Sequence, residues 1–152
     1  MDIKIGQLVP AFKLLDADKN EVSLKDFRGK TIVLYFYPKD NTSGCTREVC
    51  DFSDAQKKFS KKNVLVIGIS PDKPSSHVKF REKYDLPFLL LSDPEKQVAK
   101  LYVVLKKKNM YGKDVIGIGR STFIIDKNGK LRAEFRGVKV DEHVEEVLAS
   151  LG

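Results

Sequence analysis

Residues 32–45 read IVLYFYPKDNTSGC and carry Cys45 to the end of an apolar run. An apolar run without alternation is typical of a strand that is covered on both faces of a sheet. The turn-forming residues after it indicate that the chain then enters a helix near Ser43. The stretch therefore predicts an α/β fold in which Cys45 lies at the N-terminus of a helix.

Cys45 and Cys50 are the two cysteines of the chain. The backbone amides and the positive dipole end of a helix N-terminus favour a thiolate over a thiol at Cys45. Cys50, five residues later, supplies a thiol that can react with an oxidised sulfur. An inert core cysteine is the alternative interpretation for each, and for Cys50 only the spacing to Cys45 argues against it. We interpret the pair as redox-active.

Apolar patterns along the rest of the chain predict alternating strands and helices. The predicted strands form an N-terminal β-hairpin (residues 12–15 and 22–24), three core strands (32–37, 64–70 and 88–91) and a C-terminal hairpin (122–126 and 130–136). The predicted helices cover residues 43–61, 75–84, a segment after Pro94, and 141–151. This order predicts a mixed central sheet flanked by helices on both faces, and it resembles the thioredoxin-like fold.

Size and charge limit the expected partners. A chain of 152 residues fits one domain, residues 1–152. The net charge of +7 would suit nucleic acid, but residues 1–76 carry thirteen basic and ten acidic side chains and residues 77–152 carry fifteen and eleven. Because the excess is spread evenly, we expect no nucleic-acid partner. The densest lysine groups, within residues 57–62 and 106–108, are predicted to be solvated helix faces or loops.

The sequence shows no apolar signal segment and no apolar run long enough to span a membrane. We therefore expect a cytoplasmic protein with no membrane partner. In a reducing compartment, two free cysteines carry chemistry more often than they form a structural bridge.

Two histidines and one arginine are further candidates for chemistry. A metal site needs about four ligands, and His77 and His143 stand apart from any partner motif on polar stretches of predicted helix. We expect both side chains to be solvated. Arg120 precedes a strand and can reach the sheet edge that holds Cys45, although a surface salt bridge is the alternative interpretation.

The string Pro38-x-x-x-Thr42-x-x-Cys45 resembles the active-site motif of the peroxiredoxins. Residues 42–50, TSGCTREVC, resemble the subgroup called peroxiredoxin Q or bacterioferritin comigratory protein, and the resemblance covers essentially the whole chain. It implies a thioredoxin-like thiol peroxidase that reduces hydrogen peroxide and alkyl hydroperoxides without a metal, haem or flavin cofactor. It also implies a thioredoxin-type electron donor as partner.

By the same resemblance Cys45 is the peroxidatic residue and Cys50 the resolving one. The Cys45 thiolate attacks one peroxide oxygen, so negative charge moves from the sulfur to the departing oxygen. The Thr42 hydroxyl, the amides of Gly44 and Cys45, and the Arg120 cation can stabilise both ends of that movement.

Three neighbouring residues complete the expected site. Pro38 donates no hydrogen bond and can shield the sulfur from water, and Glu48 resembles the acid that holds the arginine in place in this family. Ser43 stands where many members of the subgroup have proline. Proline fixes the backbone of a first helical turn. Serine leaves that backbone freer, so Ser43 affects how readily the first turn opens during the cycle.

Two other functions remain open from the residues alone. A thioredoxin-type thiol-disulfide oxidoreductase is expected to carry CxxC, whereas this chain has CxxxxC. A basic binding protein without catalysis is disfavoured by the even charge distribution. Rapid catalytic consumption of hydrogen peroxide with a thiol reductant separates a peroxidase from both.

Helix geometry predicts a conformational change during the cycle. If Cys45 and Cys50 lie on one regular helix, their Cα atoms are at least roughly 7.5 Å apart, beyond the ~7 Å that a disulfide tolerates. Bond formation then requires the segment from Thr42 to Asp54 to unwind in part. Because both cysteines lie in one chain, the cycle needs no second subunit, and we expect a monomer or a weak dimer.

Overall fold

Strands and helices alternate along the chain in a computed structural model that describes residues 3–151, apart from the side chains of residues 108 and 110. The strands are β1 (Lys13–Asp16), β2 (Glu21–Ser23), β3 (Thr31–Phe36), β4 (Val64–Ser70), β5 (Leu89–Ser92), β6 (Leu105–Met110), β7 (Lys113–Ile118), β8 (Ser121–Ile125) and β9 (Leu131–Arg136). The α-helices are α1 (Ser43–Asp54), α2 (Gln56–Lys61), α3 (Pro74–Tyr84), α4 (Gln97–Leu101) and α5 (His143–Leu151). A short 3-10 helix, Leu24–Phe27, follows β2.

Seven strands form the central sheet in the order β2-β1-β5-β4-β3-β8-β9. The three central strands β5, β4 and β3 are parallel, and β8 pairs antiparallel with β3. The N-terminal hairpin joins the other side through antiparallel pairing of β1 with β5. This is the predicted mixed sheet with an N-terminal hairpin, so the thioredoxin-like prediction is confirmed.

Strand β3 lacks hydrophobic alternation because both of its faces are covered. Ile32, Leu34 and Phe36 pack into a core on one face, together with residues of α4 and the N-terminal segment. Val33 and Tyr35 pack into a second core on the opposite face, with apolar residues of α1, α2, α3 and α5. Helices therefore cover both faces, and the carboxyl end of β3 emerges between two packed layers.

The antiparallel pairing of β3 with β8 brings two distant segments to one sheet edge. Phe36, the last residue of β3, lies opposite Ser121, the first residue of β8. The chain leaves β3 towards α1 at the same edge where it enters β8. Arg120 therefore lies beside the turn that leads to Cys45.

Two sequence-based predictions of secondary structure were wrong. The single helix predicted for residues 43–61 is two helices, because α1 ends at Asp54, Ala55 lies between the helices, and α2 begins at Gln56. The lysine run 106–108, predicted as a solvated helix face or loop, lies in β6, which pairs with β7 in a two-stranded sheet. Lys106 and Lys107 are exposed, so these two side chains are solvated although the backbone is extended. Within residues 3–151, none of the helices has the length and apolar character needed to cross a membrane.

Candidate active site

Cys45 is the third residue of α1, and only 1% of it is exposed. Thr42 precedes the helix in an extended conformation, and its carbonyl accepts the N–H of Thr46 at 2.8 Å. The amides of Ser43, Gly44 and Cys45 come before this first helical bond, so they have no acceptor within the helix. The first turn of α1, which carries Cys45, therefore has N–H donors that can bind developing negative charge.

Arg120 contacts both Cys45 and Glu48 with one guanidinium group. Its Nη2 lies 3.3 Å from the Cys45 sulfur, and its Nη1 donates to Glu48 Oε1 at 2.7 Å. Glu48 is one turn beyond Cys45 on α1 and is 1% exposed. The planar guanidinium can serve both partners at once because its N–H groups have a fixed geometry. The structure therefore brings together three residues that the sequence predicted for the site.

The Glu48 carboxyl is costly to ionise where it lies. Burial raises its pKa to about 7, and the charge and hydrogen bond of Arg120 oppose that rise. Within the described residues, Glu48 Oε2 has no hydrogen-bond partner. The contact with Arg120 is therefore the main compensation for a charge on Glu48, as expected for a residue that fixes the guanidinium.

Gly44 allows Arg120 to approach the helix closely. A Cβ atom added at Gly44 would lie 3.2 Å from Arg120 Nη2, the same nitrogen that contacts Cys45. Thr42 is exposed, and its hydroxyl donates to the carbonyl of Lys39 at 3.2 Å. The two lone pairs of that hydroxyl stay available, but its predicted contact with peroxide stays a prediction.

A cleft of about 500 Å³ opens beside Arg120. Its lining includes half-buried Pro38, apolar Val103, Leu105 and Val138, and the cation Arg136. Pro38 follows β3 and lines this cleft, but its predicted role in shielding the sulfur from water stays a prediction. The cleft is large enough for a small organic peroxide next to the guanidinium.

Cys50 lies on the same helix as Cys45, and both thiols are free. Cys50 is half-buried; burial raises its pKa, and the nearby carboxylates of Asp54 and Asp51 add to the rise. Cys50 follows Cys45 by five positions within α1, so the condition predicted from helix geometry is met. A direct bond between them requires α1 to open.

Both histidines are buried, so the expectation of solvated side chains was wrong. His77 is 0% exposed and lies between Asp40 Oδ2 (2.7 Å) and the carbonyl of Leu91 (3.0 Å). His143 is 2% exposed, with Nε2 2.8 Å from the Thr122 hydroxyl. Burial lowers the pKa of His143, although Glu146 opposes the shift.

The helical spacing of both histidines indicates that they are buried, although the polar residues around them favoured a solvated position. His77 is three positions before buried Phe80, and His143 is four positions before buried Val147. Residues at these spacings share a helix face. Asp40, the partner of His77, lies inside the Pro38-x-x-x-Thr42 string yet was not singled out.

Residues 5–134 match the AhpC/TSA family. The chain belongs to this family of peroxiredoxins. Peroxiredoxin Bcp of Bacillus subtilis (strain 168) is 50% identical over 151 residues, which cover 99% of this chain and 96% of that protein. A putative peroxiredoxin bcp of Coxiella burnetii is 47% identical over 151 residues, covering 99% and 100% of the two chains.

Solved structures of similar proteins agree with the assignment of this chain to the peroxiredoxins. The bacterioferritin comigratory protein of Xanthomonas campestris, studied for its alkyl peroxide reduction activity, matches with a TM-score of 0.91 and 37% identity over 97% of each chain. A cysteine-to-serine mutant of Xylella fastidiosa PrxQ matches with a TM-score of 0.93 and 37% identity, covering 99% of this chain and 96% of that one. The predicted subgroup is confirmed, and with it the activity class, a thiol-dependent peroxidase.

Proposed function

We propose that this peroxiredoxin reduces hydrogen peroxide and alkyl hydroperoxides with Cys45 as the peroxidatic residue. The observation that carries the proposal is the 3.3 Å contact between the buried Cys45 sulfur and Arg120 Nη2 at a helix N-terminus. The cation and the first-turn amides stabilise negative charge on the sulfur before attack. They also lie where a departing oxygen collects charge during attack.

In the first step, the Cys45 thiolate attacks one oxygen of ROOH and the O–O bond breaks. The sulfur becomes a sulfenic acid, and RO⁻ leaves and takes up a proton to give an alcohol, or water when R is hydrogen. The amides of Gly44 and Cys45 donate to the peroxide oxygens, and the Thr42 hydroxyl, which donates its own proton to the Lys39 carbonyl, accepts the hydrogen of the peroxide with a free lone pair. Arg120 stays close to both reacting centres throughout.

Pro38 and Glu48 support this step without reacting. Pro38 limits the access of water to the sulfur from the cleft side. Glu48 holds the guanidinium through the 2.7 Å bond to Nη1, so that Nη2 faces Cys45. A fixed donor costs no reorganisation when charge moves.

In the second step, the thiol of Cys50 attacks the sulfenic sulfur of Cys45. A disulfide forms, and the hydroxyl leaves as water. A dithiol of thioredoxin type then reduces the disulfide by exchange, which restores both thiols. The helix must open before the second step because its geometry keeps the two sulfurs apart.

The cleft beside Arg120 supports alkyl hydroperoxides as substrates in addition to hydrogen peroxide. Its apolar side chains Val103, Leu105 and Val138 can contact an alkyl group while the peroxide end reaches Arg120. The Xanthomonas relative studied for alkyl peroxide reduction has the same fold. We further propose that the chain acts as a single domain, as a monomer or weak dimer, in the cytoplasm, where thioredoxin systems keep thiols reduced.

One equivalent of hydrogen peroxide added to reduced protein tests the proposal. Intact mass and peptide mapping should show loss of two hydrogens and an internal Cys45–Cys50 bond. Cys45→Ser should abolish thioredoxin-linked turnover, since a serine hydroxyl is not ionised at neutral pH. Cys50→Ser should react once and accumulate a sulfenic acid. Steady turnover by Cys45→Ser would overturn the assignment, and sedimentation of a stable large oligomer would overturn the proposed association state.

A further inference from the structure

Asp40 is a buried carboxylate in the turn between β3 and α1, and it is 6% exposed. Its Oδ1 accepts the Tyr37 hydroxyl at 2.6 Å, and its Oδ2 accepts the Ser76 hydroxyl at 2.8 Å. The same Oδ2 lies 2.7 Å from Nδ1 of His77. The Asp40 backbone N–H donates to Asp72 Oδ2 at 2.7 Å. The turn is therefore tied to α3 and to the segment after β4.

His77 joins this carboxylate to the neighbouring strand β5. A carbonyl only accepts hydrogen bonds, so the 3.0 Å contact with the Leu91 carbonyl requires a hydrogen on Nε2 of His77. Nδ1 lies 2.7 Å from Asp40 Oδ2, which is a hydrogen-bond distance, so one hydrogen lies between these two atoms. With the ring fully buried, removal of either partner leaves an unpaired polar group in the core.

Asn41 is held by the same helix. Its Oδ1 accepts from Lys83 Nζ at 3.2 Å and from the Tyr84 hydroxyl at 3.4 Å. Asn41 has φ 63°, a left-handed conformation that surrounding contacts must maintain. Thr42, the next residue, precedes the first turn of α1. Helix α3 thus fixes the two residues from which α1 departs.

We propose that Asp40 and His77 are positioning residues for the reaction of Cys45 with peroxide, an inference that rests on the role proposed for Cys45. Cys45 and Arg120 come from different segments, so their 3.3 Å contact depends on where α1 begins. The Asp40–His77 pair sets that point by fixing the turn to α3 and β5. A displacement of about 1 Å at a reacting centre can cost two orders of magnitude in rate.

Single-step kinetics in a Cys50→Ser background test the proposal, because this parent reacts once with hydrogen peroxide and stops at the sulfenic acid. His77→Leu and Asp40→Ala should each lower the second-order rate constant by about 10- to 100-fold. The double variant should be no slower than the slower single variant, since both changes break one pair. Asp40→Asn keeps an acceptor for Tyr37 and a donor for neutral His77, and it should retain most of the rate.

Val98→Ala provides the control, because Val98 is 3% exposed on α4 and packs in the core on the other face of the sheet. It should lower the free energy of unfolding and leave the peroxide rate constant unchanged. With Cys50 present, disulfide formation after oxidation should not be slowed by His77→Leu, because that step needs the helix open. This split between the two steps is not expected from general destabilisation.

Equal peroxide rate constants in the parent, His77→Leu and Asp40→Ala would overturn the proposal, as would slowing of both steps by the same factor. If His77→Leu does not fold, Ser76→Ala removes one donor to Asp40 and little core volume. It should slow the peroxide step several-fold, and an unchanged rate there would also overturn the proposal. Failure of the Cys50→Ser parent to form a sulfenic acid is a separate result, which would refute the role of Cys45 itself.

Discussion

Nη2 of Arg120 lies 3.3 Å from the Cys45 sulfur although 75 positions separate the two residues in the sequence. The antiparallel register of β3 and β8, with Phe36 opposite Ser121, brings them to one edge of the sheet. Glu48 holds the other arm of the guanidinium from the helix that carries Cys45. The contact is therefore fixed from the sheet and from the helix at once.

Arg120→Lys should lower the second-order rate constant for peroxide by about 100-fold, in the range seen when one donor to a developing charge is removed. Lysine keeps the charge, but its ammonium group cannot reproduce the planar fork that serves Cys45 and Glu48 together. Stopped-flow kinetics with hydrogen peroxide measure the effect, and urea unfolding should show little loss of stability. An unchanged rate constant would remove Arg120 from the reaction.

The buried carboxyl of Glu48 should make stability depend on pH. Burial raises its pKa from 4.5 to about 7 in the folded chain. The folded state therefore binds the proton more tightly than the unfolded state between these values, and stability falls as pH rises through this window and levels off above it. Relative to Glu48→Gln, the reduced wild-type protein should lose roughly 3 kcal/mol between about pH 4 and about pH 8.

Urea unfolding of the two proteins at both pH values measures that difference, since titrations common to both cancel. If the free energies of unfolding of wild type and Glu48→Gln changed with pH in parallel, the Glu48 carboxyl would have the same pKa in the folded and unfolded states. The expected sign is opposite to that of an acid stabilised by a salt bridge, which would gain stability as the pH rises.

Oxidation should open α1. The amides from Cys45 to Asp54 should exchange with solvent more slowly in the reduced protein than in the disulfide form, because an intact helix keeps the two Cα atoms at least roughly 7.5 Å apart. Hydrogen exchange read by mass spectrometry on both forms gives the comparison, with β4 as the internal reference. Equal protection of α1 in the two forms, once the internal bond is mapped, would contradict the idea.

Ser43→Pro should slow the formation of the disulfide. Ser43 is the first residue of α1, where proline fits, and Thr42 before it has φ −85° and ψ 157°, which suits the residue before a proline. Reduced freedom of the unwound segment should stabilise the closed form by about 0.4–1 kcal/mol. Rapid-quench alkylation after a peroxide pulse measures the rate, and Ser53→Pro in the last turn of the same helix serves as a contrasting variant. Bond formation in Ser43→Pro that is as fast as in the wild type, or faster, would show that the first turn does not limit opening.

Sequence patterns predicted the central strands well because long apolar runs covered on both faces have few alternative structures. They placed β4 at residues 64–70 and located Cys45 and Arg120 at one edge. They missed β6 because its pairing with β7 uses backbone hydrogen bonds, which a run of lysines does not prevent. They missed the break between α1 and α2 because the apolar spacing continues through Ala55, from Phe52 to Phe59.

Burial of polar side chains was the least predictable part of the site. His77 and Asp40 are polar residues whose burial depends on partners from three separate segments, and no local pattern contains that information. Helical spacing to Phe80 gave a clue to the position of the ring, but not to its partners. The roles of Thr42 and Pro38 remain predictions for kinetics to test.

The interruption between α1 and α2 at Ala55 limits the segment that unwinds during the redox cycle. Helix α2 begins with its own hydrogen bonds, in which the Ala55 carbonyl accepts the N–H groups of Lys58 and Phe59, so it does not need α1 to be folded. Phe59, which is 0% exposed, can keep its place in the core while α1 unwinds. We expect the twelve residues of α1 to open as one cooperative unit, with a free energy of opening smaller than that of unfolding the whole molecule. Each turnover would require this one segment to unfold and refold. The rest of the molecule would stay folded and provide the surface on which α1 packs again.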